Sequence, residues 1–272
     1  MNNIKQLQLH DNITNLCKED TKFVKGHVVA YVEGTDTVLF EKWNKVILPG
    51  STFTAMKFFK DLQIGEMTYT YNQKLGLDNS TSVASETERK ESYIFLFAVG
   101  VGGCGSEASQ VNDVDYTKWI APADLVPFRY PNIDQDITVD LRNKYFGRKV
   151  IGANNKIAYY FKGFDEVRFK QQYLDGTPID SNVYESSNST QAETYVEIKM
   201  TISNKDCREY FASHTGLQDA KINTISLLSA VETEIDGIKY YQNIRPVTKL
   251  NFPTEQLVDE TKGIDIVYSL FF

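Results

Sequence analysis

Hydrophobic and polar residues alternate along much of this chain with the period of two that marks strands. Helical spacing is rare. In 194–202, Val196, Ile198, Met200 and Ile202 fall on one side and Glu197, Lys199 and Thr201 on the other. That pattern predicts an antiparallel strand with one face in a core and one in water. Shorter runs predict strands at 27–32, 37–40, 45–48, 156–161, 166–170, 223–230, 240–252 and 264–270, the 240–252 strand being bounded by Pro253. Turns are predicted at Glu33-Gly-Thr-Asp36 and at Asp236-Gly237. Residues 93–99 are apolar without alternation, which reads as a buried strand. One prominent helix is expected after Pro49-Gly-Ser51, where Phe53, Met56, Phe59 and Ala55, Phe59, Leu62 repeat at three and four residues. A short helical turn is expected at 206–211.

The resulting fold class is mainly β: an antiparallel β-sandwich or barrel-like domain with one prominent helix and long polar loops. Residues 1–25 read as an N-terminal arm and 26–272 as a single β-rich domain with extended loops at 63–91 and 175–192. The 272 residues are 42% hydrophobic, enough for a sizeable core. Sixteen Tyr and sixteen Phe strengthen the sheet reading.

The stretch 116–131 contains Pro122, Pro127 and Pro131, which exclude a regular helix or central strand. Its aromatics suggest an extended segment lying across a surface, either of its own domain or of a partner. Trp119, Phe128, Arg129 and Tyr130 are the expected protein contacts, since Trp, Tyr and Arg concentrate binding energy at interfaces. Gly100, Gly102 and Gly103, in the loop 100–105, are expected protein contacts as well, the point where a partner comes close.

Glycines 100, 102 and 105 also fit the G-x-G-x-x-G spacing, but residues 107–119 lack an apolar helical stripe. Without a helix N-terminus to hold a pyrophosphate the pattern carries no dinucleotide site. No cofactor is expected. The net charge of −7 argues against a specific nucleic-acid groove. The basic cluster from Arg142 to Lys149 reads as a solvated turn. Three scattered cysteines argue against a disulfide framework, and neither a C-x-x-C nor a histidine pair offers a zinc site. With no apolar leader or membrane-length run, a soluble product of a reducing compartment is expected. Asp134, Asp136 and Asp140 form the nearest approach to paired acids, and Cys207 with His214 to a nucleophile and base. A solvated turn is the preferred reading of the first, and only nearness in sequence supports the second, so no enzyme is expected.

Four segments carry a resemblance. Residues 41–59, the loop Ala98-Val-Gly-Val-Gly-Gly103, the run Pro122-Ala-Asp-Leu-Val-Pro-Phe-Arg-Tyr130, and the C-terminal stretches at 222–228, 246–254 and 265–271 resemble segments of tailed-bacteriophage virion proteins. The resemblance implies a β-rich tail, baseplate, collar or neck component. It implies assembly with itself and other virion proteins, with no membrane partner and with localisation to the virion. A carbohydrate- or host-receptor-binding module of a phage tail is the alternative it leaves open.

Overall fold

The computed structural model describes residues 25–46, 92–257 and 263–271, apart from 108, 116, 153–154, 174–177 and 179–191. The expected helix at 53–62 and the loop 63–91 lie outside the described residues, as do nearly all of the arm and most of the loop 175–192. The described chain forms thirteen strands. They are β1 Lys25–Val32, β2 Val38–Trp43, β3 Lys45–Val46, β4 Tyr93–Gly100, β5 Leu125–Val126, β6 Tyr145–Ile151 and β7 Lys156–Gly163. The series continues with β8 Glu166–Tyr173, β9 Ala192–Ile202, β10 Lys221–Ile235, β11 Ile238–Pro246, β12 Thr248–Gln256 and β13 Ile264–Phe271. The two described α-helices are short: α1 Val139–Arg142 and α2 Arg208–His214.

All strand pairs are antiparallel and form two sheets. One has five strands in the order β2-β1-β13-β9-β8. The other has eight, with the path β3-β12-β10-β4-β7-β6, β11 beside β10 and β5 beside β4. The mainly β, antiparallel class expected from the pattern is the observed one.

The alternation in β9 and β13 has its cause in the main core. Ile198, Met200 and Ile202 are buried, as are Ile264, Ile266, Tyr268 and Leu270 opposite them, while Glu197, Lys199, Asp265 and Val267 are only partly covered. These residues meet Phe97, Val99, Ile225, Leu227 and Phe252 of the larger sheet. Across the gap Phe40 of β2 stacks on Phe252 of β12 with centroids 4.2 Å apart. β4 lacks alternation because both its faces are covered. Phe97 and Val99 enter the main core, while Leu96 and Ala98 enter a second core with Trp119, Tyr160, Leu228 and Ile244.

Asp236 (φ 53°) and Gly237 (φ 76°) form the two-residue turn of the β10–β11 hairpin, with Ile235 paired to Ile238. A tight hairpin turn of this hand needs positive φ at both central residues, which an Asp-Gly pair adopts readily. The single strand expected over 240–252 is two. β11 and β12 run end to end along one flank of β10, broken at Val247, whose N–H donates to the Leu227 carbonyl. Pro253 lies inside β12, beside a register shift between Ile222 and Thr224 of β10, where a missing N–H is tolerated. The basic cluster 142–149 is also corrected. Its first residue ends α1, and its last ones belong to β6, where Tyr145 and Phe146 are buried.

Phe252 holds the two sheets together and is 1% exposed. Phe252→Ala is expected to cost about 3–5 kcal/mol, read as a lower denaturant midpoint with an unchanged slope.

Candidate functional site

The glycine loop is held by its own chain. A Cβ on Gly103 would lie 2.0 Å from the Asn223 carbonyl oxygen, and one on Gly100 would meet Ile120 and the Asp124 carbonyl. Gly103 donates its N–H to Asn223 Oδ1 at 2.6 Å. None of the loop glycines has a positive φ, so absence of a side chain, not unusual backbone, is what the loop requires. The near neighbours of Gly100, Gly102 and Gly103 are β10 and residues 120–124 of their own chain, not a partner. Beyond the loop the chain folds back as a narrow turn, with Cys104 bridged to Val111 and Asn112 N–H donating to the Gly103 carbonyl. No helix begins there among the described residues.

The proline-containing segment also lies on its own domain. Trp119, Phe128 and Tyr130 are 7%, 0% and 4% exposed. Trp119 Nε1 donates to Ser226 Oγ at 2.8 Å, Phe128 packs edge-on against Phe97, and Tyr130 packs edge-on against Tyr210. The expectation that these rings form a contact surface is thereby corrected: they are internal. The prolines explain how. Residues 128–132 run beside β7 as an irregular extra strand, in which Pro131 needs only to accept, taking the Ile157 N–H on its carbonyl.

Arg129 points into a buried polar cluster. Its Nη2 donates to Tyr145 Oη at 2.8 Å and lies 3.3 Å from Asp206 Oδ1, while its guanidinium covers the Tyr145 ring. Asp206 is fully buried and also accepts from Lys162 Nζ at 2.8 Å, from Tyr145 Oη at 2.9 Å and from the Ser203 N–H at 2.8 Å. Lys162 Nζ donates further to the Thr201 carbonyl. With its oxygens occupied by cations and donors, Asp206 is chemically committed to structure.

The other candidate groups are engaged in the same way. Asp136 takes Arg142 at 2.9 Å, Arg148 at 3.6 Å and the Tyr159 hydroxyl at 2.8 Å, whereas Asp134 and Asp140 are exposed. Cys207 is 1% exposed in the main core, and burial pushes its thiol well above the usual range. His214 stacks on Tyr210 and contacts that residue's carbonyl through Nδ1 at 3.0 Å.

The larger groove and a run of rings lie on the five-stranded sheet, whose side away from the core is open among the described residues. Paired rows place Trp43, His27, Ser269, Glu197 and Arg168 across it, with Glu41, Val29, Val267, Lys199 and Glu166 in the next row. At one end a run of rings crosses four strands. Trp43 is 4.8 Å from His27 and 5.9 Å from Phe271, which stacks on Tyr195 at 5.0 Å. At the other end a groove of about 710 Å³ is lined by Tyr31, Asp36, Asp165, Glu166, Lys199 and Asp265. A smaller recess of about 260 Å³ lies between the glycine loop and the proline segment, lined in part by Asp113, Asp115, Asp124, Lys118 and Lys249. There the Thr117 hydroxyl and N–H hold the Asp115 carboxyl down at about 2.

Both flanks of the five-stranded sheet expose large apolar side chains: Val38 and Trp43 on β2, Val167 and Phe169 on β8. Sequence reasoning did not single these out. Trp43 and Phe169 sit in ordinary strand alternation, and nothing local in the chain says that a strand ends its sheet.

In comparisons with known proteins, the chain matches no protein-family model, none of the curated proteins and no solved structure.

Two outcomes test this account. Gly103→Ala forces a methyl into the Asn223 carbonyl and is expected to destabilise the protein by about 1–3 kcal/mol, measured by denaturant unfolding. Burial, then the Asp136 carboxylate that accepts its hydrogen bond, push the Tyr159 hydroxyl up to about 12. Its folded value lies above the unfolded value of 10.0, so its contribution is complete below pH 10 and is lost as the pH rises toward 12. Unfolding midpoints taken across that window should fall less steeply in Tyr159→Phe.

Proposed function

We propose that this chain is a structural subunit of a tailed-phage virion, assembling with itself and with other tail, baseplate or neck proteins. One observation carries the reading: both flanking strands of one sheet expose large apolar side chains, Val38 and Trp43 at one flank and Val167 and Phe169 at the other. An uncovered apolar sheet edge is a template for pairing with another chain. Subunits of symmetric assemblies use such surfaces on two sides. The resemblance of residues 41–59, 98–103 and 122–130 to virion proteins supports the setting. The net charge of −7 fits a protein–protein role better than a grip on nucleic acid.

A second reading has its own support. The open sheet face combines the rings of Trp43, Phe271 and Tyr195 with a groove carrying Asp36, Asp165, Glu166 and Asp265. Apolar ring faces and carboxylate acceptors suit a sugar, whose C–H faces stack and whose hydroxyls donate. This favours a glycan-binding module of the same particle.

The deciding experiment is immunogold labelling of gradient-purified phage particles with antibodies to this protein. Labelling at a fixed place on the tail or neck is expected. A protein that stays wholly in the unassembled fraction would overturn the virion reading. Glycan-array binding lost in Trp43→Ala would establish the second reading.

A further inference from the structure

We propose that two copies of this chain join through β8, antiparallel and about a two-fold axis at Arg168, to make a continuous ten-stranded sheet. The inference goes beyond the virion reading, because such a pair would form in solution whether or not a particle is built.

β8 ends its sheet. Along its length one flank pairs with β9, from Glu166 opposite Lys199 to Tyr173 opposite Ala192. On the other flank the described chain supplies one bridge, from Pro178 to Gln172. Among the described residues the unpaired stretch therefore runs from Glu166 up to the residues just before Gln172, and Arg168 lies near its middle.

Val167 and Phe169 show what this edge lacks. Their cross-strand partners are Ile198 and Val196, which pair in turn with Tyr268 and Leu270. Directly paired residues share a sheet face, so Val167 and Phe169 stand on the core side. They are nonetheless 56% and 68% exposed. The core stops beneath them, and another strand would extend it.

The order of residues selects a second copy as that strand. A two-fold axis normal to the sheet must pass through a residue, because opposed residues must share a face. With the axis at Arg168, Glu166 faces Lys170 of the second copy and Val167 faces Phe169, each twice. Moving the axis to Val167 sets Phe169 against Asp165. Moving it to Phe169 sets Arg168 against Lys170 and Val167 against Gln171. Of these three registers, only the one at Arg168 sets no charge or amide against an apolar side chain over residues 165–171. The two arginines at the axis remain neutralised, since Arg168 Nε already lies 2.5 Å from Glu166 Oε1 of its own chain. Lys170, 2.8 Å from Glu197 Oε2 in its own chain, would bridge two carboxylates.

The test uses the full chain. Sedimentation equilibrium is expected to give twice the 31.0 kDa chain mass. Phe169→Asp should weaken the pair by roughly a hundredfold or more, since it leaves an unpaired charge in the contact, with an unchanged circular dichroism spectrum. Glu166→Lys and Lys170→Glu should each weaken it, and the double variant should restore it. In a Cys17→Ser, Cys104→Ser background, Arg168→Cys should oxidise to a covalent dimer. Val167→Cys should not, because only a residue on the axis meets its own copy within disulfide reach. A single-chain mass at every concentration would overturn the proposal. So would an oligomer of any size that persists in Phe169→Asp and gives no Arg168→Cys cross-link. Particle labelling is scored separately, so either reading can fail alone.

Discussion

The described structure hangs on one buried carboxylate. Asp206, between β9 and α2, accepts hydrogen bonds from Lys162 on β7 and Tyr145 on β6 and lies beside Arg129 of the proline segment. Lys162 reaches on to the Thr201 carbonyl of β9. One group thus links both sheets and the segment packed along β7. Removing ions from water costs several kcal/mol each, and the attraction among them repays this only with near-complete pairing. The arrangement is therefore a constraint more than a source of net stability. Any packing that pulls the smaller sheet away from β7 strands charges where water cannot reach them.

That constraint explains why Arg129 and its neighbours are internal. Aromatic and basic residues interleaved with prolines have the composition of an exposed recognition strand, and composition alone reads them so. Here Arg129 is drawn inward by a carboxylate some 77 positions away, and the rings on either side follow it into two different cores. Phe128 enters the core between the sheets and Tyr130 the core beyond the larger one. The long-range partner, not the local pattern, decides the direction. Gly103 belongs with this case. Its spacing in the chain fits a phosphate loop, while its cause is the carbonyl of Asn223 pressed against it.

The strands were legible wherever a single face is buried. β9 and β13 alternate because water lies on one side of them, and β4 does not alternate because no water lies on either. β6 was missed because Arg148 and Lys149 mask Tyr145 and Phe146, and because Gly147 sits at φ 68° against the Phe161 ring. β11 and β12 merged into one expected strand because they share the same flank of β10. Local period reports which way a side chain points. It carries no record of what is opposite. Val167 and Phe169 show the limit: their spacing assigns them to the core side, and only the strand order shows that the core ends before them.

The open edges and the closed ones differ in how their polar backbone is satisfied. β7 is flanked by β6 on one side and by β4 and residues 128–132 on the other. Even the prolines there take part, as acceptors. β8 has no comparable cover over its first half among the described residues. It carries Glu166, Arg168 and Lys170 on the side away from the core, charges of the kind that keep an edge from pairing indiscriminately. Their order is not arbitrary with respect to symmetry: an acid two places before Arg168 and a base two places after it repel most alignments and accept their own reversal. An edge that is apolar on its core side and charged on the other discriminates by register, so the same residues that exclude unrelated strands admit a second copy.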